Sequence, residues 1–163
     1  MLLLLLLPVV AWSDIDPDID RRYEVESLIA RAEKSPIQQN GSELPRVERD
    51  PEGKIKRLRL DGLELSEVER RAITRIASLR SLSLQGTNIG DADLAGLKRL
   101  PQLQSLNLNF TRISDEAIRH LQAIPQLRSL CLMKVNLSPE AVAELKESRP
   151  QLGIGFRRAL PGP

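Results

Sequence analysis

Leucine returns at a fixed interval through the second half of the chain, and that interval restricts the possible folds more than any other feature. Blocks beginning at Ile55, Leu79, Leu103 and Leu127 start 24 residues apart. The fourth residue of each block is Leu58, Leu82, Leu106 or Leu130, and the sixth is Leu60, Leu84, Leu108 or Leu132. The ninth is Leu63, Thr87, Thr111 or Val135, and the eleventh is Leu65, Ile89, Ile113 or Leu137. Four columns agree across four blocks, so the chain repeats a structural unit.

The physics of one block names that unit. Leucines at positions four and six, with a polar residue between them, alternate as a β-strand does. Leu82 and Leu84 then point inward, while Ser81, Ser83 and Gln85 point out. Position twelve holds Ser66, Gly90, Ser114 or Ser138, all suited to begin a helix. Glu69 follows Ser66 by three residues, a capping box, and Pro139 follows Ser138 at the favoured first helical position. Asp91 and Asp115 sit where a helix N-terminus welcomes negative charge. Leu94, Leu97 and Leu100, then Ile118, Leu121 and Ile124, recur at helical spacing, and Pro101, Pro125 and Pro150 stop each helix. Thr87 and Thr111 are expected to bond neighbouring turns in a ladder. No block can bury its apolar stripe alone; stacked neighbours bury a continuous core.

Composition agrees. Aromatic residues make up 2% of the chain, so a core must be aliphatic, as suits a stack that reuses one small pocket. The single cysteine, Cys131, excludes an internal disulfide, and one Cys with one His excludes a Cys/His zinc site within the chain. A net charge of +2 lacks the basic footprint of a nucleic-acid binder.

Ahead of the repeats, residues 1–13 read as a signal peptide. Leu2–Leu7 and the apolar residues to Trp12 are too short to span a bilayer, and Ala11 and Ser13 suit cleavage. No Lys or Arg precedes the leucines, so either the true start lies upstream or the amino terminus supplies the charge. A buried N-terminal helix is the alternative. Residues 14–53 read as a linker and an N-terminal cap. Asp14–Asp20 is linker-like; Tyr23, Val25, Leu28, Ile29 and Ala32 form a helical stripe within Arg21–Lys34; Ser35–Pro45 has loop chemistry. Asp50-Pro51-Glu52-Gly53 predicts a turn, making Val47–Leu60 a β-hairpin. Residues 54–156 are the repeats, with a partial one from Leu152, where Leu152, Ile154 and Phe156 alternate as a last strand. Residues 157–163 form a tail, and the decay of the repeat there reads as a real end.

LRSLSLQGTNIGD (79–91) and LQSLNLNFTRISD (103–115) resemble the leucine-rich-repeat family, in the form found in bacterial repeat proteins of planctomycete type and in the repeat part of F-box adaptors. The blocks at Ile55 and Leu127 depart from that pattern at its Thr and Asp positions. The resemblance covers about residues 47–156. It implies an α/β solenoid: a curved parallel sheet lining the concave side, with helices on the convex side, used for protein binding. No F-box is visible ahead of the repeats, so the intracellular adaptor is the weakest alternative.

The candidate binding surface is the outward face of the strands. Its first column is Arg57, Ser81, Ser105 and Ser129; its second is Arg59, Ser83, Asn107 and Cys131. The third is Asp61, Gln85, Asn109 and Met133, and the next residue along is Gly62, Gly86, Phe110 or Lys134. Phe110 and Arg59 are the expected anchors, by the preference of hot spots for aromatics and Arg, although Phe110 can equally turn inward beside Thr111. Cys131 lacks a nearby general base if His120 lies on a helix, so no catalytic residue is assigned. The carboxylates at helix starts lack the loop spacing of a calcium site, and no phosphate loop is present. The chain is therefore expected to be a monomeric, exported, non-catalytic module that binds a protein, with no cofactor, metal, nucleic acid or transmembrane span. An orphan structural repeat without a dedicated ligand is the main alternative.

Overall fold

The computed structural model describes residues 17–35, 37–39 and 42–157. The signal-peptide reading of residues 1–13 and most of the tail lie outside these residues. The fold is α/β. A six-stranded, mostly parallel sheet carries helices on one face, and a separate two-stranded hairpin lies near its N-terminal end.

Helix α1 (Pro17–Glu33) opens the described chain. It starts inside the acidic stretch read as linker, with Pro17 at a position where its missing N–H costs nothing. Leu28, Ile29 and Ala32 are buried, and Val25 packs at the margin of the core. Tyr23, placed on the same stripe by sequence, is instead 70% exposed. Nine residues at about 100° each separate it from Ala32, which puts it about 180° round the helix, on the face opposite the buried stripe. Two short strands follow, β1 (Ile37–Gln39) and β2 (Ser42–Leu44), paired antiparallel. The segment expected to be loop therefore contains a hairpin, and its sequence carries Asn40-Gly41 between the strands, a strong two-residue hairpin signal.

The main sheet begins with β3 (Val47–Arg49) antiparallel to β4 (Ile55–Arg59), which is the expected hairpin. From β4 onward every pairing is parallel and sequential: β5 (Ser81–Ser83), β6 (Ser105–Asn107), β7 (Ser129–Met133) and β8 (Gly153–Arg157). The register preserves the 24-residue interval read from the sequence, since Leu58 pairs with Leu82, Leu82 with Leu106 and Leu106 with Leu130. These leucines and the sixth-position leucines form one buried cluster with the apolar sides of the helices.

The helices are α2 (Glu67–Ile73), α3 (Asp91–Leu94), α4 (Ala117–Gln122) and α5 (Pro139–Ser148). The capping box at Ser66 is formed in full: Glu69 N–H donates to Ser66 Oγ, and Ser66 N–H donates to Glu69 Oε2 at 2.8 Å. Ser138 Oγ accepts the N–H of Ala141 at 3.1 Å. Ser114 does not cap α4 as expected. Its N–H and hydroxyl donate to Asp91 of the preceding block, at 2.8 and 2.7 Å, while its Oγ accepts Glu116 N–H at 3.4 Å in the turn ahead of α4, which begins later. In the second block the helix lasts four residues and gives way to a 3-10 turn at Leu97–Arg99, yet Leu94, Leu97 and Leu100 are all buried.

Side chains fasten each block to the next. Asn88 closes a double hydrogen bond on Leu65, with its Oδ1 accepting Leu65 N–H at 2.8 Å and its Nδ2 donating to Leu65 O at 3.0 Å. Asp115 accepts the N–H of Ser138 at 2.8 Å. The threonines behave otherwise than expected: Thr87 and Thr111 donate to the carbonyls of Leu84 and Leu108, both at 2.6 Å, inside their own turns. Three residues of separation let the hydroxyl close its own turn, which satisfies a buried donor without reaching a neighbour. At the far end Arg149 donates to the carbonyls of Ile124, Pro125 and Leu127, at 2.7, 2.9 and 3.0 Å. These close the loose end of the α4 block.

Gly96 sits tightly against the end of α2. A Cβ there would lie 2.6 Å from Thr74 Cγ2 of the preceding block. Gly96→Ala is expected to lower stability by about 1–3 kcal/mol through this overpacking. Thr74→Ser removes the obstructing methyl and keeps the hydroxyl that bonds Arg71 O. Denaturant melts should show the double variant recovering most of the loss. A strictly additive double variant would contradict the contact.

Candidate functional site

The strands have two unlike faces. Leu58, Leu82 and Leu106 are buried under the helices, and the residues on either side of them, Arg57 and Arg59, Ser81 and Ser83, Ser105 and Asn107, form an open polar face. Register carries the face from strand to strand: Arg57, Ser81, Ser105 and Ser129 align, as do Arg59, Ser83, Asn107 and Cys131.

Nine of the thirteen candidate residues line one shallow cavity of about 520 Å³: Arg57, Arg59, Asp61, Ser81, Ser83, Gln85, Ser105, Asn107 and Cys131. Ile37 of the β1–β2 hairpin also lines it. Ser129, Phe110 and Met133 are exposed outside it. Asn109 is the exception to the expected surface, being only 5% exposed. Its Oδ1 accepts the N–H of Met133 at 2.7 Å, so it fastens adjacent blocks and is not offered to a partner. Asp61 does the same two blocks earlier, accepting Gln85 N–H at 3.2 Å and the hydroxyl of Ser83. Asn107 and Gln85 are joined at 3.4 Å.

The N-terminal cap reaches into the site. Glu48 of β3 holds Arg57 at 2.8 Å and Arg59 at 2.9 Å. Arg59 also donates to Pro45 O at 2.7 Å. Burial pushes the Glu48 carboxyl up, but the hydrogen bonds and charges of Arg57 and Arg59 together hold it below its usual range. Arg46 is buried beside them. It donates to Asp61 O at 2.9 Å, to Arg59 O at 3.3 Å and to Ser35 O. Burial lowers its pKa, opposed by the charge of Asp61. Ile37, Arg46 and Glu48 therefore shape the site without having been singled out in the sequence. The alternation of Arg46, Val47 and Glu48 ahead of β4 is the signal that points to them.

The residue after the third column is set apart by its backbone. Gly62, Gly86, Phe110 and Lys134 all have positive φ, at 71°, 64°, 58° and 54°. The sheet ladder continues through this position, with Gly62 N–H donating to Gln85 O, Gly86 N–H to Asn109 O and Phe110 N–H to Met133 O, at 2.8, 2.9 and 2.9 Å. Glycine takes this conformation freely, whereas an L side chain costs about 1 kcal/mol or more. Phe110 therefore faces outward, 48% exposed, and the inward alternative beside Thr111 is not adopted.

Cys131 lies on the open face and His120 on α4, whose buried side packs under the sheet. The His120 ring contacts Arg119 at 3.4 Å. Among the described residues, no group of three or more His, Cys, Asp or Glu side chains is placed to hold a metal ion. None of the described helices is long and apolar enough to cross a membrane. No protein-family model matches the chain, and no curated protein matches it in sequence.

The Glu48 contacts have a pH signature. A carboxyl held below its ordinary 4.5 stabilises the fold fully above that pH and loses its contribution as pH falls through the lowered folded value. The stability difference between the parent and Glu48→Gln is expected to be constant at neutral pH and to shrink below pH 4.5. Melts across that range check it, and a difference that grows on acidification would contradict the pairing.

Proposed function

We propose that the chain is a curved solenoid of leucine-rich-repeat type and that it acts as a monomeric, non-catalytic interaction module. It binds a protein partner through the concave, open face of its sheet, and it works after export. The reading of residues 1–13 as a signal peptide supports export. The sequential parallel strands at a constant 24-residue interval support the solenoid. One observation carries the binding role: consecutive strands bring eight polar face residues and Cys131 to a single shallow cavity, while the opposite face is covered by helices. Buried interface cores form on such preassembled surfaces at little ordering cost.

A second reading, a structural repeat without a ligand, has one observation in its favour. Arg57, Arg59 and Asp61, the charged groups of the face, are already engaged within the chain. Site-specific photo-cross-linking separates the two. A photoreactive residue at Ser105 is expected to cross-link a discrete partner in the native host, one at Lys98 on the helical side is not, and Asn107→Glu should abolish the adduct. Equal labelling from both positions, or none from Ser105, would support the structural reading.

A further inference from the structure

We propose that Phe110, Met133 and Lys134 anchor the partner, and that the partner presents an extended segment with an Asp or Glu next to a large apolar side chain. This inference rests on the binding role above and names the chemistry it recognises.

All four blocks need a left-handed residue directly after the third column. The first two meet that need with Gly62 and Gly86, which suffer no steric penalty. The last two place Phe110 and Lys134 there. Glycine would serve the turn better, so these side chains do not serve to build it. An outlier of this kind is informative when the side chain it carries is exposed. Phe110 is half exposed, and its N–H bonds the carbonyl of Met133, itself 41% exposed. Tyr23 and Val68, the other exposed large apolar residues described, stand on α1 and α2.

Charge then selects the partner. On the open face Arg57 and Arg59 share the one carboxylate of Glu48. Lys134 has no ion-pair partner among the described residues; its ammonium lies 5.4 Å from the centre of the Phe110 ring. A cation held over an exposed ring, next to a flexible Met, makes one compact site with an apolar floor and a positive rim. A carboxylate satisfies the ammonium, and the neighbouring apolar side chain covers Phe110 and Met133. The polar columns of Ser105 and Asn107 are left to meet the backbone of the rest of the segment.

The test uses short random peptides displayed on phage and selected against the full chain. Their affinities are then measured by fluorescence anisotropy for the parent, Phe110→Gly, Lys134→Gly, Lys134→Gln and Asn107→Glu. Selected peptides should share an acidic residue beside an aromatic or large aliphatic one. The substitutions at 110 and 134 should each weaken binding about ten-fold or more, as loss of an anchor does. The glycine variants should melt no lower than the parent, because glycine relieves the left-handed backbone, so weaker binding cannot be assigned to unfolding. Peptides without the acidic feature, or peptides that ignore both sites yet are lost with Asn107→Glu, would overturn the anchor and leave the face reading standing. Failure to select any peptide would also overturn it, while the cross-link at Ser105 judges the face separately.

Discussion

A strand of three to five residues cannot hold its leucines out of water by itself, so everything in this fold depends on the backbone ladder between consecutive blocks. That ladder extends beyond the strands. Gln104 N–H bonds Arg80 O before β6, and Gly86 N–H bonds Asn109 O after β5. Its register joins identical positions of successive blocks. A slip of one residue would turn Leu82, Leu106 and Leu130 onto the open face, at about 1.5–3 kcal/mol for each leucine exposed. The outward columns are therefore not placed independently. Ser105 and Asn107 stand where they do because Leu106 and Leu108 must be buried.

A stack held by its neighbours has two vulnerable ends, and they are closed differently. At the first strand the direction reverses: β3 runs antiparallel to β4, and Arg46 and Glu48 tie it to Arg59, Asp61 and Arg57. Helix α1 extends the apolar cluster beyond α2, with Arg31 pairing to Glu69 at 2.5 Å. At the other end β8 continues the parallel order, and Arg149 gathers the carbonyls left by the preceding block. The N-terminal closure also shapes the cavity, so cap and candidate site are one construction.

What could be read from the sequence follows from this division. The leucine columns, the Val47 hairpin and the caps at Ser66 and Ser138 are local or periodic features, and residue type at fixed spacing reports them directly. The ends of helices are less legible, because Ser114 is drawn away from its own helix by Asp91, a residue 23 positions earlier. Asn109 looks like its outward neighbours in sequence and is buried because Met133 N–H, 24 positions on, needs an acceptor. Tyr23 is exposed because helical rotation puts it on the face of α1 opposite Leu28, Ile29 and Ala32. The Ile37 hairpin escaped a loop-like composition despite its Asn-Gly signal. On the open face, the column positions are legible, but the division between residues that fasten blocks and residues left pointing outward is set by contacts one block away.

Successive blocks lie in parallel at the 24-residue register, so that their outward residues form columns. Spin labels at Ser81 and Ser129, in a Cys131→Ser background, measure this directly. The two positions are separated by two strand spacings, roughly 10 Å between backbones. Continuous-wave spectra should show strong dipolar broadening that disappears on unfolding. Spectra no broader than the sum of the singly labelled proteins would contradict the account.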